Sequence, residues 1–172
     1  MHAPNFSDEI ADLARRAGFA LTPEDESGAA LFWSDPGGEI RFYVRGSADI
    51  GFTLTRAVRK SHELFELFTT SISVLERHLT AMFLGSIRYD KHWQHIVVPL
   101  APRDLAGGCR LSDEDAEGYR DLYAPSGELL ARAHGGLVGV GTLVELSHLL
   151  QQSVLSLESI YAHPDSRSLI DE

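Results

Sequence analysis

The sequence predicts an α+β fold in which helices pack on one face of an antiparallel β-meander. Five short segments with strand character follow one another between about residues 18 and 68, and segments with helical periodicity lie before and after them. The connections between the five segments are too short to hold crossover helices, so consecutive strands are expected to pair as hairpins. Strands grouped together with helices on either side are typical of α+β proteins.

Composition limits the class of protein. The chain has 172 residues, of which 44% are hydrophobic, and this is enough for the core of a single domain spanning 1–172. Its formal net charge of −10 argues against nucleic-acid binding, which needs a basic face. The lone cysteine, Cys109, excludes an internal disulfide. No apolar run has the length of a signal peptide or a membrane span, so a cytoplasmic location without membrane association is expected.

The N-terminal helix has recognisable signals at both ends. Ser7 can cap its first turn, where two acidic residues suit the positive end of the helix dipole. Gly18 stands where a helix commonly ends. The apolar stripe of this helix is predicted to consist of Ile10, Leu13, Ala14 and Ala17.

The third strand segment shows the clearest alternation. It follows a turn, Asp-Pro-Gly-Gly at residues 35–38. Apolar and polar side chains then alternate with a period of two, which indicates a half-buried strand. The apolar side is formed by Ile40, Phe42 and Val44, and the polar side by Arg41, Tyr43 and Arg45.

From Ser71 onward the periodicity becomes helical. It predicts a helix over 71–85 that ends near Gly85, and a longer helix over about 140–161 that is stopped by Pro164. Between them, residues 86–117 are expected to form a loop with one or two short strands, followed by a hairpin around Pro125–Gly127. The two helices are predicted to pack through Leu75, Leu79, Leu146, Leu150 and Leu157.

We predict no catalytic, cofactor-binding or metal site from the sequence. His92 and His95 could supply two metal ligands, but no third ligand lies near them in the sequence. The glycine-rich stretch Gly135–Gly141 lacks the Lys-Ser/Thr of a phosphate-binding loop, so a flexible helix start is the simpler interpretation. The acidic run at 113–117 is typical of a solvated loop.

One local charge pattern does stand out. Between Pro36 and Lys60 there are five basic residues against two acidic ones, although the chain as a whole is acidic. Outward-facing arginines commonly protect strand edges from pairing with other chains. Alternatively, arginine and tyrosine side chains serve as anchors in protein-binding faces. The residues alone leave both interpretations open.

Four segments between Ala17 and Pro164 carry a family resemblance. They are Gly-Phe-Ala-Leu-Thr-Pro at 18–23, the segment Phe32–Arg41, the strand Phe52–Arg56 and the helix Val144–His148. Together they resemble the bacterial immunity protein 61 family, whose members neutralise secreted NAD glycohydrolases of the tuberculosis necrotizing toxin type. One segment departs from the family pattern, because the turn after the Thr-Arg strand reads AVRKSHE instead of being glycine-rich. If that turn contacts the toxin, the departure implies a variant toxin as the partner.

The resemblance implies a protein without catalytic activity. Such a protein would bind its cognate toxin domain in the cytoplasm as a 1:1 complex and block the NAD-binding cleft with a projecting loop. Two other functions stay open at this stage. One is a small-ligand or nucleotide-binding domain that uses the stretch Gly135–Gly141, and the other is an adaptor or chaperone for a secreted protein.

Two hairpin turns are the predicted toxin-binding elements. The first holds Arg45, Gly46, Ser47 and Asp49, where small residues allow close backbone approach, and it is expected to enter the cleft. The second holds Arg59 and Lys60, which are expected to make flanking contacts, and the acidic run at 113–117 is the next candidate. Replacing Gly46 by Trp is expected to weaken inhibition and to leave the fold intact.

Overall fold

Residues 3–169 of the chain are described by a computed structural model that contains one eight-stranded antiparallel sheet and four α-helices. A single 3₁₀ turn also occurs within these residues, at Pro102–Asp104. The helices are α1 (Asp8–Arg16), α2 (Ile72–Asp90), α3 (Leu137–Leu149) and α4 (Val154–Ala162). The strands are β1 (Phe19–Thr22), β2 (Ala30–Ser34), β3 (Ile40–Ser47), β4 (Gly51–Val58), β5 (Leu64–Thr69), β6 (Arg110–Leu111), β7 (Tyr119–Tyr123) and β8 (Leu129–His134).

The strand order is β1-β2-β3-β4-β5-β8-β7-β6, and every neighbouring pair is antiparallel. The predicted five-strand meander is therefore confirmed, and so is the predicted later hairpin, which forms β7 and β8. That hairpin extends the same sheet, because Phe68 of β5 pairs with Arg132 of β8. The α+β class is confirmed.

The core lies between the sheet and the four helices. Alternate side chains of the strands point towards the helices and are fully buried, as Val44 and Leu54 show on the paired strands β3 and β4. An aromatic group built around Phe32 and Phe83, with ring centroids 5.3 Å apart, joins β2 to α2. Other core side chains with no exposed surface are Leu67, Leu75, Leu79, Leu122, Leu143, Leu146 and Leu157.

Helix α1 has the predicted ends. The Ser7 hydroxyl accepts a hydrogen bond from the Ile10 backbone N–H at 3.4 Å, so Ser7 caps the helix. Gly18 follows the helix with φ +78°, a backbone conformation that glycine adopts without strain. The predicted apolar stripe is buried.

Helix α2 continues past the predicted end at Gly85 and ends at Asp90. A glycine inside a helix costs about 1 kcal/mol relative to alanine, so packing beyond it can keep the helix going. Arg88 supplies that packing, since its side chain is buried and anchors the last turn of the helix. The segment after α2 is mainly irregular as expected, and it contains the short strand β6.

The predicted long helix over 140–161 is wrong, because two helices occupy this region. α3 ends at Leu149, and α4 begins at Val154 with the Ser153 hydroxyl accepting a hydrogen bond from the Ser156 N–H at 3.0 Å. Of the leucines predicted to pack in the core, Leu150 lies in the break and is only partly buried, whereas the others are fully buried.

Candidate functional site

The face of the sheet that points away from the helices is open and carries aromatic and arginine side chains. We call it the open face. Alternation places Arg41, Tyr43 and Arg45 of β3 on it, as the sequence predicted, and all three are half-buried. Its other aromatic side chains are Trp33, Phe65, Phe68, Tyr119 and Tyr123.

An aromatic cluster lies on the open face where β5, β8 and β7 adjoin. The rings of Tyr119 and His134 stack with centroids 4.5 Å apart, and Phe65 presents its edge to Tyr119 at 5.4 Å. Beside the cluster is a shallow hollow of about 430 Å³, whose lining includes Phe68 and Arg132. Such a surface offers ring faces and a partly buried guanidinium to a partner.

Two arginines of the open face, Arg45 and Arg132, are held by carboxylates. Arg45 donates to both carboxylate oxygens of Glu63, at 2.7 and 3.1 Å, and this hydrogen bonding lowers the pKa of Glu63. Arg132 forms a similar two-point contact with Asp121, at 2.7 and 3.1 Å, which raises the pKa of Arg132. Arg45, one of the five basic residues that make up the local excess in the sequence, is therefore neutralised on this face.

The two predicted turns lie at opposite ends of the sheet. The turn after β3 and the turn after β4 are separated by the whole of β4, which has eight residues and spans about 25 Å at roughly 3.3 Å per residue. We call them the Asp49 end and the Arg59 end of the sheet. The structure does not bring the predicted toxin-binding residues together.

At the Asp49 end, Gly46 is part of β3 and pairs with Phe52, while Ser47 closes the hairpin opposite Gly51. Asp49 and its neighbour Ile50 are exposed at the tip. Gly46 has φ +148°, and a Cβ added there would lie 2.0 Å from the Gly51 carbonyl oxygen. The expectation that Gly46→Trp leaves the fold intact is therefore wrong, because any side chain at this position collides with the paired strand.

At the Arg59 end, Arg59 adopts a left-handed backbone conformation with φ +54° and projects into solvent. Its guanidinium lies 3.7 Å from the Glu39 carboxylate, and its carbonyl accepts a hydrogen bond from Arg41. Lys60 is exposed beside it. The acidic loop at 113–117 lies at the same end, since it leads into the first residue of β7.

The Arg59 end also carries an exposed apolar surface that the sequence did not reveal. Leu137 and Val138, the first residues of α3, are 89% and 81% exposed, and they follow β8 directly after Gly135-Gly136. Val58 and Leu64, which flank the turn after β4, are 40% and 60% exposed. We call these four residues the apolar tip.

The apolar tip could not be recognised from the sequence, because Leu137 is in helical phase with buried residues of α3 such as Val140 and Val144. Leu137 is exposed because the first turn of α3 lies beyond His134, the last paired residue of β8. The glycine-rich stretch Gly135–Gly141 thus serves as the start of a helix that projects past the sheet.

The helical side holds the other polar features. A cavity of about 250 Å³ between α2, α3 and α4 is lined by His78, Arg88, Glu145 and Tyr161, among others. Burial lowers the pKa of His78 to about 4 and raises the pKa of Glu145, and burial is also the main cause that raises the pKa of Tyr161 to about 12. Cys109 packs against the core.

The histidines of the 86–117 segment do not assemble a site. His92 and His95 are both exposed, and the His95 ring packs against Tyr89 with centroids 6.5 Å apart. Within residues 3–169 no group of three or more His, Cys, Asp or Glu side chains could hold a metal ion. In the same part of the chain no helix has the length and apolar character to cross a membrane.

Protein–protein interfaces are enriched in aromatic and arginine side chains. The open face carries both, and the apolar tip adds exposed aliphatic side chains beside it. The fold and these groups together are typical of α+β proteins that bind other proteins. Consistent with this, the chain belongs to the immunity protein 61 family, whose model matches residues 13–169.

Two relatives show the same similarity to the chain. The immunity factor for TNT of Mycobacterium tuberculosis is 28% identical over 169 residues, which cover 96% of this chain and 92% of that protein. A homologue of the immunity factor for TNT from Mycobacterium bovis matches to the same extent. Among solved structures, Rv3902c from M. tuberculosis is similar with a TM-score of 0.81 and 27% identity, covering 94% of this chain and 91% of that one.

Proposed function

We propose that this chain is an immunity protein that binds a secreted NAD glycohydrolase toxin domain in a 1:1 complex in the cytoplasm and blocks its NAD-binding cleft, without catalysing a reaction itself. The observation that carries the proposal is the end-to-end similarity to the immunity factor for TNT, where TNT stands for tuberculosis necrotizing toxin. The aromatic open face and the apolar tip support it, because they supply the anchor groups that a tight complex needs.

The Arg59 end of the sheet is our candidate for the element that enters the cleft. The two turns are about 25 Å apart, so only one of these two ends of the sheet can enter the cleft. The Arg59 end offers both cations, Arg59 and Lys60, and the large exposed aliphatic side chains of Leu137 and Val138. A few fully desolvated side chains at the centre of an interface contribute most of its binding energy, whereas exposed rim charges mainly steer association.

The Asp49 end provides fewer such groups. Ile50 is its one large aliphatic side chain in the turn, and Arg45 is already engaged by Glu63 and Ser27. Gly46 and Ser47 are strand residues that keep the hairpin together. We therefore reverse the order expected from the sequence, so that the Arg59 end enters the cleft and the Asp49 end stays at the periphery.

The test is co-expression with a cognate NAD glycohydrolase toxin domain, scored by rescue of growth and by purification of the complex. In the proposed arrangement, Leu137→Asp combined with Val138→Asp weakens the complex by about 100-fold or more, and Arg59→Glu with Lys60→Glu weakens it by about tenfold. Ile50→Asp is the matched control and leaves affinity unchanged. Loss of affinity in the control alone would assign the cleft to the Asp49 end.

A failure of the wild-type chain to rescue growth or to form a complex would contradict the proposed function itself. Turnover of NAD by the purified chain alone would contradict the proposal that it is not an enzyme. A small-ligand domain using Gly135–Gly141 is a weaker second candidate. The uncapped first turn of α3 leaves backbone N–H groups for a ligand, but Val140 and Gly141 are buried.

A further inference from the structure

A groove of about 510 Å³ runs along the helical side of the molecule, between α1 and α4. Its apolar lining comes from Ile10 and Leu13 of α1 and from Val154 and Leu155 of α4. Val154 is 37% exposed and Leu155 is 77% exposed, although the next apolar residues of the same helix, Leu157 and Tyr161, are buried in the core. The first turn of α4 thus presents aliphatic side chains to the groove and to solvent.

The rim of the groove is acidic. Four carboxylates line it, together with the guanidinium of Arg16. One of the four, that of Asp12, is also held at 2.6 Å by Arg15, which does not line the groove, so the rim keeps an excess of two negative charges. Arg16 is itself 3.5 Å from one of these carboxylates, Glu158, so it closes one end of the groove as an ion pair. The carboxylates belong to Glu9, Asp12, Glu76 and Glu158.

We propose that this groove is a second binding site, which takes a basic amphipathic helix of a protein partner. Helices bind in grooves by laying an apolar stripe, with residues spaced by three and four, along an apolar floor. The volume lies in the range of sites that bury several large side chains. Lysines or arginines beside the apolar stripe of such a helix would meet the carboxylates of the rim.

The acidic rim excludes a second copy of this chain as the preferred occupant. A symmetric dimer would place the same patch against itself and so bring the rim carboxylates of both copies together, which costs free energy. The groove also lies on the opposite side of the sheet from the open face, because the helices that form it cover the other face. A helix in the groove and a partner on the open face can therefore be bound together, and the groove is independent of the proposed toxin contact.

The probe is a fluorescein-labelled peptide of about 15 residues, with leucines along one helical face and lysines elsewhere. We expect the full chain to bind it with a Kd on the order of 10 µM in fluorescence anisotropy. Leu155→Ser, and separately Glu9→Gln with Glu158→Gln, weaken binding by about tenfold. Ile50→Ser is the matched control, because Ile50 is 67% exposed at the distant Asp49 end, and it leaves binding unchanged.

Three results would overturn the proposal. The first is equal binding by the wild type and by the Leu155 and Glu9/Glu158 variants. The second is equal binding of a peptide in which glutamates replace the lysines, since the rim would then have no role. The third is sedimentation of the wild type as a dimer that Leu155→Ser converts to a monomer, because a second copy would then cover the groove. Circular dichroism confirms that each variant is folded.

Discussion

The buried side chain of Arg88 holds two parts of the chain together by donating hydrogen bonds to backbone carbonyl groups. This side chain is 1% exposed, and among residues 3–169 its guanidinium donates to backbone carbonyl groups only. Each of its nitrogen atoms has a partner, so the cost of burying the charge is offset by hydrogen bonds. Through them the end of α2 is tied to the irregular stretch after α4. The acceptor carbonyls belong to Gln94, Tyr161, His163, Pro164 and Ser166.

Arg88→Met should lower the free energy of unfolding by roughly 3–5 kcal/mol, because it leaves several buried carbonyl groups without a donor. Arg88→Lys should lose less, since lysine keeps the charge but lacks the planar fork that reaches all the carbonyls. Urea unfolding followed by fluorescence measures both. Arg103→Met is the control, because that side chain is 86% exposed. Equal stability of Arg88→Met and the wild type would contradict this role.

His78 should make stability depend on pH. Burial lowers its pKa from 6.5 to about 4, so between these values the unfolded chain takes up a proton that the folded chain does not. The free energy of unfolding therefore falls as the pH drops through this window, by up to about 3 kcal/mol. His78→Leu should remove the fall. Urea unfolding at a series of pH values from about 7 to 4.5 measures it.

Glu145, which lines the same cavity, should act in the opposite sense. Burial raises its pKa, so the folded chain takes up this proton before the unfolded chain does, and falling pH then stabilises the fold. Glu145→Gln should accordingly steepen the loss of stability seen in the wild type. A shallower pH dependence in this variant would contradict the assignment.

At the scale of elements, strands were more predictable than helix ends. Alternation such as that of Ile40, Phe42 and Val44 reports directly which side of a strand is buried, and the sheet confirms it. The break between α3 and α4 was not visible in the periodicity. The interruption, from Leu150 to Ser153, is close to one helical turn, so the apolar positions before and after it stay in phase. The local signal was Ser153, a residue type favoured as a helix cap.

Because of the break, Leu146 and Leu150 differ in burial, although the sequence places both in one apolar stripe. Leu146→Ala should cost about 2–5 kcal/mol, because Leu146 has no exposed surface. Leu150→Ala should cost about half as much, since Leu150 only packs against the edge of the core. Thermal unfolding of the two variants compares them directly. A larger loss for Leu150→Ala would mean that α3 and α4 join as one helix in solution.

The whole molecule has two sides of different chemical character, and the candidate site was predictable only in part. The sequence located both turns, but it could not show that β4 holds them at opposite ends of the sheet. It showed arginines facing outward on β3, but not that Glu63, which comes from beyond the next turn, would neutralise Arg45. Such facts depend on residues distant in sequence, and local patterns carry no information about them.

Net charge should govern the rate at which the proposed complex forms. A chain of net charge −10 is attracted to the basic surface expected around a cleft that binds the phosphates of NAD. The association rate constant should therefore fall by about tenfold or more between low salt and about 0.5 M salt, with a smaller change in the dissociation rate. Stopped-flow mixing of chain and toxin domain measures both. An association rate that does not change with salt would contradict steering.

The one-sided sheet has a consequence for how such proteins diverge. Side chains that hold the molecule together point to the helices, while those of the open face and the apolar tip contribute little to the core. Substitutions on the outer side therefore leave folding nearly untouched, and selection can treat recognition and stability as separate traits. An architecture shared with Rv3902c at 27% identity fits such a history, in which partners change while the scaffold is inherited.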